Sequence, residues 1–248
     1  TGALTPDSNY LLRIVGSSGA AIASSLVRII ANAPATFYLN DSSTSNDVYC
    51  AAVGDDAHDG ISPATPKATV KRLQEAFTLI PGDLVELDTG TFLLDANLIM
   101  RSSGTAAQPI RFLGSTHPDG TLIHRNNTGM NAIQIDRADY VRLESLRVTG
   151  GSIGVRVDGA SAGNTRKGIE VARCELFSNR DYGLYADYCT NLAVSGCSIH
   201  NNNAARPLYL NYCYNVSVAS NVIHDPTSKD GLYLRGSGRV EGCEVYNH

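Results

Sequence analysis

The side chains with the clearest potential for chemistry are acids, arginines and tyrosines that recur along the second half of the chain. Asp136, Asp158 and Asp187 each follow a short run of alternating apolar residues. Three carboxylates on one face would suit a calcium ion, which takes oxygen ligands from carboxylates and water. The spacing therefore indicates a calcium site at these three residues, and the sequence indicates no other cofactor.

The neighbouring residues would suit cleavage of an acidic sugar chain by β-elimination. That reaction needs a cation to neutralise a carboxylate, a base to remove a proton and an acid to assist the leaving oxygen. Arg156, Arg235 or Lys229 would neutralise the substrate carboxylate or abstract the proton, and Tyr209 would act as acid or base. Alternatively, Asp158 and Asp187 would form the pair of a retaining glycosidase, whose carboxyl groups lie about 5 Å apart. The candidate catalytic residues are Arg156, Asp158, Asp187, Tyr209 and Arg235.

A sequence repeat must position these residues. Tyr185, Tyr209 and Tyr233 each stand between two apolar residues and recur every 24 residues, and the stretches 133–136 and 155–158 hold the same place upstream. Two further short runs follow in every repeat, with turns of Gly, Asn, Asp and Ser. Alternation and β-branched residues favour strands over the rival reading, a helical hairpin of the same length. The pattern predicts an all-β solenoid of stacked parallel strands.

An outward-facing row of side chains follows from that architecture, because alternate residues of a strand point to opposite faces. The row contains Gln134/Asp136, Arg156/Asp158, Tyr185/Asp187, Tyr209/Asn211 and Tyr233/Arg235. Aromatic faces stack on sugar rings, and charged groups bind hydroxyls and carboxylates. The predicted sugar-binding residues are Tyr185, Tyr209, Tyr233, Asn211, Arg180 and Lys229. Alternatively, the stacked tyrosines only stabilise a solvent-facing sheet.

The cysteines recur with the same period. Cys174 and Cys197 form one pair and Cys189 and Cys213 another. Neighbouring strands lie about 4.8 Å apart, within the range for a disulfide, but parallel strands in register rarely give the required dihedral angle. The sequence therefore predicts stacked free thiols.

Two histidines recur in the position of the third strand. His200 and His224 share this position with Phe177 and Tyr246. Two stacked imidazoles would suit a transition metal. A column shared with Phe and Tyr favours an ordinary exposed ladder instead.

The segments before the repeat are predicted to form other kinds of secondary structure. Residues 65–82 predict an amphipathic helix with Thr65 as N-cap, which would cover the first coil of the solenoid. Residues 1–46 predict two or three strands, either the end of an immunoglobulin-like sandwich or strands pairing along the solenoid. The predicted domains are therefore residues 1–46 and 47–248.

Composition narrows the classes of partner. The 248 residues are 43% hydrophobic, and the net charge of −4 argues against nucleic acid as a partner. No apolar run approaches the roughly 18 residues of a membrane span. The repeat runs on to the last residue, so we expect the sequence to be part of a longer chain.

The entry stretch "DVYCAAVGDDAHDGISPATPKATVKRLQEAF" (47–77) and the "PGDLVELDTGTF" that follows resemble the right-handed parallel β-helix proteins of the pectate-lyase-like superfamily. The resemblance covers about residues 47–248. It implies a polysaccharide groove over the first strands, in a superfamily that includes lyases, epimerases, glycoside hydrolases and inert surface proteins. The epimerase Asp-Pro-His motif is absent, and "DYGLYAD" (181–187) only echoes a lyase calcium cluster. We expect an extracellular or cell-surface module that binds polysaccharide, with uronide lyase or epimerase activity left open. The alternative is a non-catalytic structural or adhesive segment.

Overall fold

From Thr36 onward the chain winds into a right-handed parallel β-solenoid, which makes about six turns in its described part. The structure is a computed structural model and describes residues 8–15, 21–29, 33–203, 206–224 and 230–246. The all-β solenoid predicted from the repeat is therefore confirmed.

Strands of successive turns form three parallel rows. The first row contains Leu98–Met100, Ile133–Asp136, Ile153–Asp158 and Tyr182–Asp187. The second row contains Thr36–Leu39, Leu84–Leu87, Ile110–Gly114, Val141–Glu144, Glu170–Ala172 and Ala193–Ser195. The third row contains Gly90–Leu93, Thr121–His124, Leu146–Thr149, Glu175–Phe177, Ser198–His200, Val222–His224 and Glu244–Tyr246. Between the first two rows, Arg166–Lys167 pairs with Cys189–Thr190, whereas Leu208–Ala219 and Leu232–Glu241 turn the corner and join both rows.

A separate compact unit, Thr1–Ala35, precedes the solenoid. Within it, Ser8–Val15 and Ala21–Ile29 pair as antiparallel strands. Thr36–Leu39 instead pairs in parallel with Leu84–Leu87, so the solenoid takes a strand from before residue 47. The assignment of residues 1–46 and 47–248 to different domains stays a prediction.

The strand register places equivalent residues of the repeat side by side. Gln134 pairs with Arg156, Arg156 with Tyr185, Tyr185 with Tyr209, and Tyr209 with Tyr233. The apolar residues that alternate with them are at most 1% exposed: Ile133, Ile135, Val155, Val157, Leu184, Ala186, Leu208 and Leu210. Burial of these side chains fixes the register, because a slip of one residue would turn them to solvent.

Asparagine side chains connect the turns at one corner of the coil. Asn202 is fully buried, and its Nδ2 donates to the carbonyl oxygens of Leu176 and His200, each at 3.0 Å. Its Oδ1 accepts from the backbone N–H of Asn179 at 3.1 Å. The amide thereby satisfies backbone groups that a turn inside the coil would otherwise leave unpaired.

Cysteines occupy equivalent positions at the other corners. In five of them the Sγ–H group donates to the backbone carbonyl oxygen of the residue two positions earlier, at 3.3–3.5 Å. These five are Cys174, Cys189, Cys197, Cys213 and Cys243. The described cysteines are free thiols, as the sequence predicts. Each thiol therefore acts as a small apolar side chain with one weak donor.

The helix is shorter than predicted and begins later. It spans Val70–Ala76, and the Thr69 hydroxyl accepts a backbone N–H of the first turn. The prediction of Thr65 as N-cap is wrong, because Lys67 forms a parallel bridge with Leu39 and keeps the backbone around it extended.

The buried face of the helix lies against the solenoid. Val70 and Leu73 are buried, and the Phe77 ring lies 5.0 Å from that of Phe37 in the second row. Among the described residues, no helix is long and apolar enough to cross a membrane.

Candidate functional site

The outer face of the first row carries three stacked tyrosine rings, Tyr185, Tyr209 and Tyr233, called here the tyrosine column. The first two ring centroids lie 5.1 Å apart with planes at 11°, and the second and third lie 4.5 Å apart at 12°. Tyr182 packs edge-on against Tyr185 at 5.2 Å. All four rings are partly exposed. The column predicted from the repeat is therefore present.

An arginine lies over each end of the tyrosine column. The Cζ atom of Arg156 is 4.7 Å from the ring centroid of Tyr185, and that of Arg206 is 5.1 Å from the centroid of Tyr233. Guanidinium groups are attracted to the negative face of an aromatic ring. Arg206 also donates from Nε to Asp230 Oδ2 at 2.9 Å, which fixes its orientation. The aromatic surface thus has a positive group at both ends.

A polar column lies beside the tyrosines, in the order Asp136, Asp158, Asp187 and Asn211. Asn211 Nδ2 donates to Asp187 Oδ1 at 3.0 Å. Burial raises the pKa of Asp187 above its ordinary value, although the hydrogen bond from Asn211 opposes the shift. The carboxyl group of Asp187 therefore holds its proton to a higher pH than a solvent-exposed aspartate does.

The predicted calcium ligands are already engaged by nitrogen donors. Asp158 accepts from Arg156 Nε at 2.5 Å and from Gln134 Nε2 at 2.7 Å, and Asp136 accepts from Arg101 Nε at 3.1 Å. Within the described part of the chain, no group of three or more His, Cys, Asp or Glu side chains is arranged to hold a metal ion. In this arrangement the residues do not fit calcium, and calcium binding stays a prediction.

Two predicted sugar-binding cations do not join the tyrosine column. Arg180 lies in a turn, where Nη2 forms an ion pair with Asp181 Oδ2 at 2.7 Å and a hydrogen bond with Ser152. Lys229 lies outside the described residues. Their roles in binding stay predictions.

A second pair of stacked tyrosines was missed by the sequence reasoning. The rings of Tyr188 and Tyr212 lie 4.8 Å apart with planes at 2°. Both residues have a positive φ, 49° and 50°, at the turn that ends the first strand. Each tyrosine directly follows Asp187 or Asn211, so the polar column lies between two aromatic columns along the chain. The 24-residue recurrence of Tyr-Cys at 188 and 212 was the signal that would have revealed it.

Arg235 does not occupy its predicted place in the outer row above Asn211. The pairing shifts after Leu210, because two residues separate Leu210 from Cys213 but only one separates their partners Leu234 and Gly236. The Arg235 Cζ instead lies 3.9 Å from the ring centroid of Tyr212. Arg235 therefore continues the second aromatic column.

The phenol groups of Tyr185 and Tyr209 are held in the protonated form. Burial raises the pKa of Tyr209, and the neighbouring Tyr233 adds to the shift. Burial and then the carboxylate of Asp187 raise the pKa of Tyr185. At neutral pH these hydroxyl groups donate hydrogen bonds, and Tyr209 is suited to act as an acid rather than a base.

A family model described as "Right handed beta helix region" matches residues 113–248, more than half of the sequence, so the chain belongs to the right-handed β-helix family. No curated protein matches it.

Solved structures share the fold at low sequence identity. The GH136 lacto-N-biosidase from Eubacterium ramulus is 16% identical, with a TM-score of 0.52 over 77% of this chain and 41% of that one. Pectate lyase Pel9A is 12% identical, with a TM-score of 0.53 over 86% of this chain and 64% of that one. The chain thus spans about two fifths of the first protein and less than two thirds of the second.

Proposed function

We propose that this chain is a polysaccharide-binding β-helix module of a secreted or cell-surface protein, and that the tyrosine column is its contact surface. The observation that carries the proposal is the stack of Tyr185, Tyr209 and Tyr233 on one outer face, with neighbouring centroids 5.1 and 4.5 Å apart. The rings cover one another's faces, and Arg156 and Arg206 cover the two outer faces, so the column presents its ring edges to solvent. This regular ridge of ring edges offers the apolar C–H groups of a sugar chain the same contact at each step along the solenoid axis.

Polar groups beside the column supply the directional contacts that sugar hydroxyls need. Asn211 and Asp187 lie next to the rings, and Arg156 and Arg206 lie at its ends. A binding site of this kind combines apolar faces with a few fixed donors and acceptors. The two proteins of shared fold are named as a biosidase and a pectate lyase, and we carry glycans as the ligand class to this chain.

Lyase or epimerase chemistry is the enzymatic form of the same proposal. It would need Arg156 to release Asp158 before neutralising a substrate carboxylate, since the two form an ion pair at 2.5 Å. Tyr209 would serve as the acid, because its pKa is raised by burial. In the glycosidase alternative, Asp187 with its raised pKa would be the acid. The geometry supports binding more directly than it supports any of these reactions.

Binding is tested with Tyr209→Ala, which removes the central ring of the column. Affinity electrophoresis in gels containing pectate, alginate or a neutral glycan should show weaker retardation, by about tenfold in Kd or more, as expected for at least 1.4 kcal/mol. The control is Tyr214→Ala, because Tyr214 is 49% exposed and lies outside both tyrosine columns. Equal binding by native protein and Tyr209→Ala, with only the free energy of unfolding lowered, would support the structural alternative.

Catalysis is tested by incubating the native protein with pectate and alginate, with and without calcium, and following the ultraviolet absorbance of unsaturated products. Lyase activity should disappear in Arg156→Ala and Tyr209→Phe. Glycosidase activity would produce reducing ends without that absorbance and should disappear in Asp187→Asn. Retained binding with neither product would identify the chain as a non-catalytic module.

A further inference from the structure

Arg235 differs from the other arginines of the described solenoid because its guanidinium group has no polar partner. Arg156 and Arg206 are ion-paired with carboxylates, whereas Arg235 has no ion pair or hydrogen bond with any described residue. Its side chain is exposed, and its Cζ lies 3.9 Å from the centroid of the Tyr212 ring. Stacking fixes the plane of the guanidinium and leaves its N–H edges toward solvent.

The local sequence explains how Arg235 reaches that position. Leu210 pairs with Leu234 and Cys213 with Gly236, so two residues lie between the pairings in the turn of Tyr212 and only Arg235 lies between them in the next turn. The Arg235 side chain therefore occupies the place of two residues. The backbone of the next residue, Gly236, has a φ of 144°, and a Cβ there would collide with the Cys213 carbonyl. Glycine alone fits, because it carries no Cβ. The shortened corner thus draws the Arg235 side chain over Tyr212.

The placement puts a positive charge at the end of the second aromatic column. Tyr188 and Tyr212 stack at 4.8 Å, and the guanidinium lies where the next ring of the column would be. Asn211, which precedes Tyr212, separates this column from Tyr209 along the chain. A sugar chain that packs against the second aromatic column would therefore lie near a guanidinium whose donors are free.

We propose that Arg235 is the anion receptor of the glycan surface, so that the module prefers chains whose sugars carry a carboxylate. This inference rests on the proposed polysaccharide binding. A guanidinium matches a carboxylate with two parallel N–H donors, and such charge-assisted bonds are about twice as strong as neutral ones. Preorganisation by Tyr212 lowers the entropy lost when the bond forms. Tyr212 is thereby a positioning residue for Arg235.

The test compares polygalacturonate with its carboxyl-reduced form, which keeps the linkages and loses the charge. Isothermal titration calorimetry is run on the native protein, on Arg235→Gln and on Arg235→Lys. The matched control is Arg239→Gln, because Arg239 lies in the same turn, is 77% exposed and pairs with Glu241 on another face. Circular dichroism confirms that every variant is folded.

We expect the native protein to bind polygalacturonate about tenfold more tightly than the reduced polymer, which corresponds to one good charge-assisted contact. Arg235→Gln should abolish this preference, because its affinity for polygalacturonate should fall far more than its affinity for the reduced polymer. Arg235→Lys should keep part of the preference, since the charge remains without the fork. Arg239→Gln should behave as the native protein does.

Two results would overturn the inference while leaving the proposed function intact. One is equal affinity of the native protein for both polymers, and the other is an equal loss for both polymers in Arg235→Gln. Failure of the native protein to bind either polymer or the glycans tested with Tyr209→Ala would instead reject the proposed function and this inference with it.

Discussion

His200 and His224 stack face to face, with ring centroids 4.8 Å apart and planes at 5°. Phe177 and Tyr246 continue the stack at 5.4 and 5.1 Å, which confirms the ladder predicted from the sequence, although the His200 side chain is only 15% exposed. Glu175 Oε1 lies 3.0 Å from His200 Nε2, while no described carboxylate contacts His224. Burial, and then the neighbouring imidazole, lower the pKa of His224 below its ordinary value of 6.5.

The lowered pKa of His224 predicts a loss of stability in mild acid. Because the folded state binds this proton less readily than the unfolded state, the free energy of unfolding should fall as the pH drops through 6.5. We expect a measurable loss between about pH 7 and pH 5, first because the partly buried imidazole must take up a proton and second because His200 stacks against it. Urea denaturation at these two pH values provides the measurement.

The matched variant is His224→Phe, which keeps an aromatic ring in the stack and removes the titration. Its loss between the two pH values should be smaller than that of the native protein. Titration of Glu175 does not contribute between these two pH values. Burial raises the pKa of Glu175, but the hydrogen bonds from Arg147 and His200 more than offset that effect and hold the pKa below 4.5. The stability that Glu175 contributes is therefore lost only at lower pH. An identical pH dependence in His224→Phe would show that the ladder is not responsible.

Glu144 forms the most buried ion pairs of the second row. Its side chain is 3% exposed and accepts from Arg111 Nε at 2.9 Å and from Arg173 Nη2 at 2.6 Å. Burial raises its pKa, but the two arginines more than offset that effect, so the pKa lies below 4.5. Glu144→Gln should lower the free energy of unfolding by about 2 kcal/mol, because the buried side chain loses its charge-assisted hydrogen bonds to Arg111 and Arg173, which are themselves partly exposed.

The control for this prediction is Glu170→Gln. Glu170 is 31% exposed and pairs with Arg142 at 2.7 Å, so its loss should cost about 1 kcal/mol or less. Guanidinium denaturation would rank the two variants, and the contribution of Glu144 should disappear as the pH falls below 4.5. Equal costs for both variants would contradict the importance assigned to burial.

The predicted calcium site can be tested by releasing its carboxylates. In the native protein, Arg156 and Gln134 donate to Asp158, so millimolar calcium should change the melting temperature by less than about 1 °C. Arg156→Ala removes the competing cation beside Asp136, Asp158 and Asp187, and calcium should then raise Tm by several degrees. Differential scanning calorimetry provides the measurement.

Magnesium is the matched control for that experiment, because it demands a tighter octahedral site than these side chains offer. A calcium-dependent rise in the native protein that is lost in Asp158→Asn would instead establish the site as the sequence predicted it. No rise in Arg156→Ala would reject calcium binding by the three aspartates.

The reactivity of the thiols should show which cysteine side chains are buried at the corners of the solenoid. Cys174, Cys189, Cys197 and Cys213 are at most 2% exposed, while Cys50 and Cys243 are half-buried. Ellman's reagent should modify at most two thiols of the native protein within minutes, and all six after denaturation. Burial raises the pKa of Cys50, so Cys243 should react first. Fast modification of four or more native thiols would contradict the described packing.

The recurring part of the fold could be predicted because each turn repeats the same constraints. Burial of alternate residues and stacking at the strand spacing fix Tyr185 over Tyr209 and His200 over His224, so periodicity alone locates these columns. The stacked thiols follow from the same rule. The helix start was missed because Lys67 pairs with Leu39, a long-range contact that overrides the local capping pattern at Thr65.

Details that break the repeat could not be predicted from the repeat. The position of Arg235 depends on the stretch between Leu234 and Gly236, which is one residue shorter than the paired stretch between Leu210 and Cys213. The position of the Tyr212 ring depends on a backbone φ of 50°, which tyrosine rarely adopts. The engagement of Asp158 by Gln134 also needed coordinates, because it depends on side-chain conformations rather than on spacing.

The 24 residues from Tyr185 to Tyr209 make up one complete turn of the solenoid. A stretch of 24 residues carries every stacked position forward by one step without disturbing its neighbours. Duplication of a gene segment of that length would therefore lengthen the aromatic surface by one ring, and deletion would shorten it by one. The length of ligand that such a surface spans can change in discrete increments, with no redesign of the rest of the protein.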